Sequence, residues 1–112
     1  MTQQVPFEAV EKEEARKPIP SVLRLGEMKP NPVRDAGEVE YDLPYSGHVS
    51  LRVYNAMGQL VRVLVNGEVP AGSHRVRWDG KDEQGRKAAS GVYFYALETK
   101  TASLMRKVVV VR

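Results

Sequence analysis

Three groups of residues in this sequence are of types that do chemistry. The stretch "WDGKDEQGR" brings together Asp79, Asp82 and Glu83. Carboxylates interleaved with main-chain carbonyls are the hard oxygen donors that calcium takes. Their spacing departs from the D-x-[DN]-x-[DN]-G loop, and glycines beside aspartates, as at Gly80 and Gly85, are also what a long hairpin connection needs. The three are weak calcium candidates with a turn as the better supported reading. No other metal site and no cofactor is expected.

The second group is His48 and His74, the only histidines. Neither has zinc-ligand spacing or a nucleophile elbow nearby, so structural roles are expected. The third is Glu38, Glu40 and Asp42, which alternate along one short run. They imitate the carboxylate pair of a glycosidase, but that chemistry also needs a sugar cleft, and they read as a solvated strand face. No enzymatic activity is expected. Trp78 and five tyrosines raise the question of sugar stacking. Trp78 and Tyr41 alternate with charged residues and are assigned to the core. That leaves Tyr45 and Tyr54 as exposed rings, too few for a binding platform.

Composition narrows the function classes further. A chain of 112 residues has the size of one domain. Its net charge of +3 comes from Lys and Arg spread singly, without the basic cluster of a nucleic-acid binder, so no nucleic acid is expected as a partner. Without cysteine there is no disulfide framework and no thiolate nucleophile. No apolar run nears the roughly 20 residues of a membrane-spanning helix, and membrane insertion is not expected. The start, "MTQQVPFEAVEKEEARKP", lacks the basic and apolar regions of a signal peptide. An exported protein would carry that signal elsewhere, and the chain is then expected to be part of something longer.

The elements that must position these residues are strands. Residues 1–21 form a charge-dense and flexible linker, in which "EAVEKEEARK" has too few apolar residues to define a helical core face. Residues 22–112 alternate with period two. "SVLRLGEM" is a short first strand, and "KPNPVRDAG" is a loop because its prolines exclude a central strand. In "EVEYDLP" the inward set is Val39, Tyr41 and Leu43. In "HVSLRVYNA" it is Val49, Leu51 and Val53. After the break at Gly58, "QLVRVLVNG" is the hairpin partner, expected to stop at the Asn66-Gly67 turn signal. "GSHRVRWDG" points His74, Val76 and Trp78 to one face, and "VYFYALET" and "ASLMRKVVVVR" close the chain. Seven short strands with frequent turns predict an all-β fold, a seven-stranded antiparallel immunoglobulin-like β-sandwich. In the last strand alternate valines are expected to be buried, while Arg106, Lys107 and Arg112 keep an edge from aggregating. Truncating that strand should unfold the domain.

Several ordered blocks, P-N-P at 30–32, V-x-L-x-V-Y-x-x-x-G, A-G-x-H, W-D-G-x-D-x-x-G, S-G-V-Y-F-Y and a final K-V-V-V-x-R, resemble the C-terminal sorting domain of type IX secretion cargo. That domain is in turn similar to the immunoglobulin-like domain of the flagellar hook-capping protein. The resemblance runs from about Lys29 to Arg112. It implies a non-catalytic module at the C-terminus of a larger secreted bacterial protein, exported through the periplasm to the cell surface or the medium. It also implies partners: the type IX secretion machinery, a surface sortase that cuts in the linker, and an attached N-terminal cargo domain. The recognition element it implies is Lys107, Val108, Val109, Val110, Val111 and Arg112. One departure is Val33, where the family usually has Phe after P-N-P, which puts the first-strand packing analogy in question. The alternative reading is a carbohydrate-binding or spacer module of a secreted glycoside hydrolase.

Overall fold

A computed structural model describes residues 19–112, so the expected linker lies outside the described residues except for its last three positions. The described residues fold into seven strands: β1 (Arg24–Leu25), β2 (Gly37–Leu43), β3 (Gly47–Asn55), β4 (Leu60–Val69), β5 (Gly72–Trp78), β6 (Gly91–Glu98) and β7 (Ser103–Val110). A three-stranded sheet of order β1-β2-β5 packs on a four-stranded sheet of order β4-β3-β6-β7, and every strand pair is antiparallel. This is the immunoglobulin-like sandwich that the alternation implies.

Period-two side-chain geometry builds the core. Val39, Tyr41 and Leu43 of β2 and Val49, Leu51 and Val53 of β3 join Trp78, Tyr95, Leu97, Val108 and Val110 in one buried cluster, which Leu25, Met28, Val33, Ala88 and Tyr93 complete. Trp78 is fully buried and donates its indole N–H to the Lys81 carbonyl at 3.0 Å, so the polar end of the ring is satisfied. Tyr95 is equally buried. Its hydroxyl donates to Gly26 O and accepts from Met28 N, both at 2.8 Å, and so ties the first segment to β6 across the sandwich.

The β3–β4 turn is built by Asn55, whose side-chain oxygen accepts the N–H groups of Met57 and Gln59, while Gly58 takes the positive φ of 83° that the turn requires. The strand end expected at Asn66-Gly67 is a correction. There β4 continues to Val69, with Asn66 opposite Ser50 and Gly67 opposite Val49. Gly67 is absent from the residues with positive φ, so the pair lies extended in the ladder rather than in a turn. The chain reverses at Pro70 and Ala71, because proline has no N–H to continue the ladder.

Candidate functional site

The strand that ends the chain is where the fold and the implied recognition residues meet. Along β7 the register with β6 is unbroken from Ser103↔Glu98 to Val110↔Gly91. Even-numbered side chains point inward, and Val108 and Val110 are each 1% exposed. Val109 and Val111 are half-buried, whereas Lys107 is exposed.

Beyond Lys107 the outer edge of the strand is occupied by the P-N-P-V segment. Val33 N–H donates to Val109 O at 2.8 Å, Val111 N–H donates to Val33 O at 2.9 Å, and Val109 N–H donates to the Asn31 side chain at 3.2 Å. Val33 makes a parallel bridge with Val110 and is itself fully buried. Its packing partner is thus the last strand, and the loop reading of "KPNPVRDAG" needs this amendment. One residue on each side of the prolines bridges to a strand, Lys29 to Glu38 and Val33 to Val110.

Arg112 does not act as a solvated edge guard; this corrects the expectation. Its guanidinium turns back and donates to three main-chain carbonyls, Ala88 O at 2.8 Å, Arg34 O at 2.8 Å and Gly80 O at 2.5 Å, while its own N–H meets Ser90 Oγ at 2.9 Å. A planar fork with five donors suits such a convergence of carbonyls. The loops at 34, 80 and 88–90 are thereby gathered on the final residue. Gly80 is part of the same knot. Its φ is 72°, and a Cβ there would lie 2.6 Å from Asp35 O.

The other sequence-derived candidates sit apart from this region. Asp79 pairs with Arg62 at 3.1 Å and accepts Lys81 N–H. Asp82 accepts the N–H groups of Arg86 and Gln84, and those backbone bonds, Arg86 first, hold its carboxyl below the usual range. Glu83 accepts Val63 N–H at 2.5 Å. Each carboxylate is engaged by protein donors in a loop that folds onto the start of β4. Among the described residues, no three metal-ligating side chains gather.

His74 stacks on Tyr41 with ring centroids 5.3 Å apart, and its Nε2 lies 2.7 Å from Pro70 O. Glu38, Glu40 and Asp42 are indeed one outer face, but they are laced by Arg24 and Arg75 into a ladder of ion pairs. The hydrogen bond from Arg24 holds the Asp42 carboxyl below the usual carboxylate range, against a burial that would raise it. Tyr45 is 83% exposed, while Tyr54 lies half-buried beside Phe94.

The clasp on Arg112 and the edge contact of Asn31 and Val33 escape a reading of the sequence. P-N-P and the terminal arginine stand out as motifs, but nothing local says that they meet.

Two sheets of three and four antiparallel strands, closed by a latched final strand, define an immunoglobulin-like module. The chain belongs to the FlgD Ig-like domain family, a family of non-catalytic modules, whose model matches residues 33–103. Among solved structures it is similar to dimeric latent PorU from Porphyromonas gingivalis, with 20% identity and a TM-score of 0.63 over 87% of this chain and 10% of that one. It is similar to FlgD from P. aeruginosa, with 30% identity and a TM-score of 0.53 over 67% of this chain and 58% of that one. PorZ, an essential bacterial surface component of the type IX secretion system of P. gingivalis, matches with 22% identity and a TM-score of 0.51 over 80% of this chain and 11% of that one. The chain therefore spans about a tenth of PorU and PorZ and less than two thirds of FlgD. No curated protein matches it significantly.

Proposed function

We propose that this module is the C-terminal sorting signal of a larger secreted bacterial protein, read by the type IX secretion machinery and then by a surface sortase. In this reading a cargo domain precedes it, the sortase cuts in the segment before β1, and the cargo passes through the periplasm to the cell surface or the medium. The observation that carries the reading is the recurrence of the same sandwich as a small fraction of two much larger chains. One of them, PorZ, is a surface component of that secretion system. The ordered sequence blocks ending in Lys107–Arg112 support it from a second side.

Burial refines what the terminal segment contributes. Val108, Val110 and the Arg112 side chain are engaged within the fold, so a receptor meeting the folded domain reaches Lys107 and the outer sides of Val109 and Val111. The signal in this reading is a folded shape that the last six residues complete.

The test is export of a fluorescent cargo carrying its own signal peptide and fused to residues 1–112 in a type IX-competent host. Parallel fusions carry Lys107→Ala or lack residues 107–112, and each purified domain is melted. Wild-type export, reduced export with Lys107→Ala at an unchanged Tm, and no export from the truncation are the expected results. A wild-type fusion that stays inside the cell, or a truncation exported as well as wild type, overturns the reading. Such a result would leave a binding or spacer module, for which affinity electrophoresis against xylan, cellulose and mannan is the next measurement.

A further inference from the structure

The two halves of β7 present different edges. In the second half, odd-numbered main-chain groups point away from β6, and they are met by Asn31 and Val33. Because the register is regular, the same parity turns the N–H and C=O groups of Met105 and Lys107 outward. Among the described residues no strand or main-chain group pairs with them. Met105 is 62% exposed, and Ser103, Arg106 and Lys107 are exposed beside it.

This open edge borders an apolar groove on the outer face of the four-stranded sheet. The groove has a volume of about 430 Å³ and runs from Met105 and Ser103 across Ala96 and Phe94 to Tyr54 and the β3–β4 turn. Its floor, Ala96, sits opposite Met105 in the ladder, and Phe94 sits opposite Lys107. The chain itself shows that the edge takes an added segment, since residues 31–33 do so in parallel just beyond Lys107.

We infer that Ser103–Lys107 is a docking edge for an extended, net-negative strand of a partner protein. That strand continues the four-stranded sheet by main-chain hydrogen bonds. On the outer face it places a large apolar side chain beside Met105 and over the groove, and a carboxylate two residues away beside Lys107. Charge selects the acidic partner. Lys107 lies on the edge and Lys100 in the preceding turn, against Glu98 at the groove, while the Arg106 side chain turns to the inner side and donates to Leu25 O at 3.3 Å. A second copy offers no such carboxylate, since two β7 edges paired antiparallel about Met105 would set Lys107 opposite Ser103 and Arg106 opposite Leu104. The inference goes beyond the sorting function and stands without it.

The test is selection of a displayed library of random 12-residue peptides on the full 112-residue chain, followed by NMR of the enriched peptides on labelled protein. The expected peptides alternate apolar and acidic residues, shift the amides of Met105 and Lys107 most, and weaken at least tenfold between 50 and 500 mM NaCl. Met105→Pro removes one outward N–H and leaves the β6 ladder intact, so binding should fall at least tenfold, while Met105→Ala keeps the N–H and loses less. If Met105→Pro does not fold, the wild-type amide shifts decide. No enrichment, binders that shift residues elsewhere or ignore Met105→Pro, or a concentration-dependent dimer through β7 each overturn the inference. Export of cargo by variants that bind no peptide would separate the two proposals, leaving the sorting function in place and this edge outside it.

Discussion

Val108–Arg112 and Ser103–Lys107 are continuous in one strand, yet they live under opposite constraints. The second part is closed on both edges, by β6 and by Asn31 and Val33, and ends in a guanidinium that holds three carbonyls. The first part pairs on one edge only, carries Met105 and Lys107 into solvent and borders a groove. The inward positions already differ, since Val108 and Val110 are buried whereas Leu104 is half-buried and Arg106 exposed. What the rest of the chain brings alongside adds the second difference, in edge occupancy. A strand can thus hold the fold with one half and offer a surface with the other.

The contrast predicts a steep gradient of mutational effects. Removing residues 107–112 strips two fully buried valines and the Arg112 knot. The loss is several kcal/mol, comparable with the whole stability of a small domain. A cooperative melt should disappear in circular dichroism, and a truncated domain that still melts sharply would break the contrast.

Gly80→Ala acts on the same knot from the other side. It forces a Cβ onto Asp35 O in a backbone conformation that favours glycine, and should cost about 2 kcal/mol or more in chemical denaturation. Val110→Ala should cost about 2 kcal/mol, because a buried site loses two methyl groups and keeps a cavity. Met105→Ala, five residues earlier, should stay within about 0.5 kcal/mol, as an exposed site does. Equal effects at 105 and 110 would erase the distinction between the two halves.

Arg112→Ala leaves the Ala88, Arg34 and Gly80 carbonyls without their shared donor. Partial exposure moderates the loss to roughly 1–3 kcal/mol. Arg112→Lys should recover only part of it, since an ammonium cannot reproduce the planar fork.

A further small effect is expected on the far sheet. Asp42 sits below the usual carboxylate range because Arg24 donates to it. Its contribution is therefore complete above the unfolded value of about 3.9 and is lost as pH falls through the lower folded value. With Arg24 half exposed, it should not exceed about 1 kcal/mol. Asp42→Asn should flatten the stability curve below about pH 4, and an unchanged curve would remove the ion pair from the account.

Much of the fold is legible because alternation is local. The inward sets of β2, β3 and β5 follow from residues that are neighbours in sequence, and burial of Val39, Leu51 and Trp78 agrees with them. The Asn66-Gly67 signal misleads for a related reason. That dipeptide favours a tight turn only where the flanking strands pair with each other, and here both residues instead pair with β3. The site is less legible. Its residues are recognisable as blocks, but each bond that defines it joins positions far apart in sequence, such as Arg112 to Arg34 or Val109 to Asn31.

By itself the sequence determined which side chains face inward, how many strands there are, and that the last one is a buried valine strand, because a two-residue period sets the face of every position. Tertiary structure alone decided which half of that strand is closed and which is open. Edge occupancy depends on where remote segments such as Asn31–Val33 come to rest, and on Arg112 finding three carbonyls at once. No local preference of the residues involved encodes such a meeting.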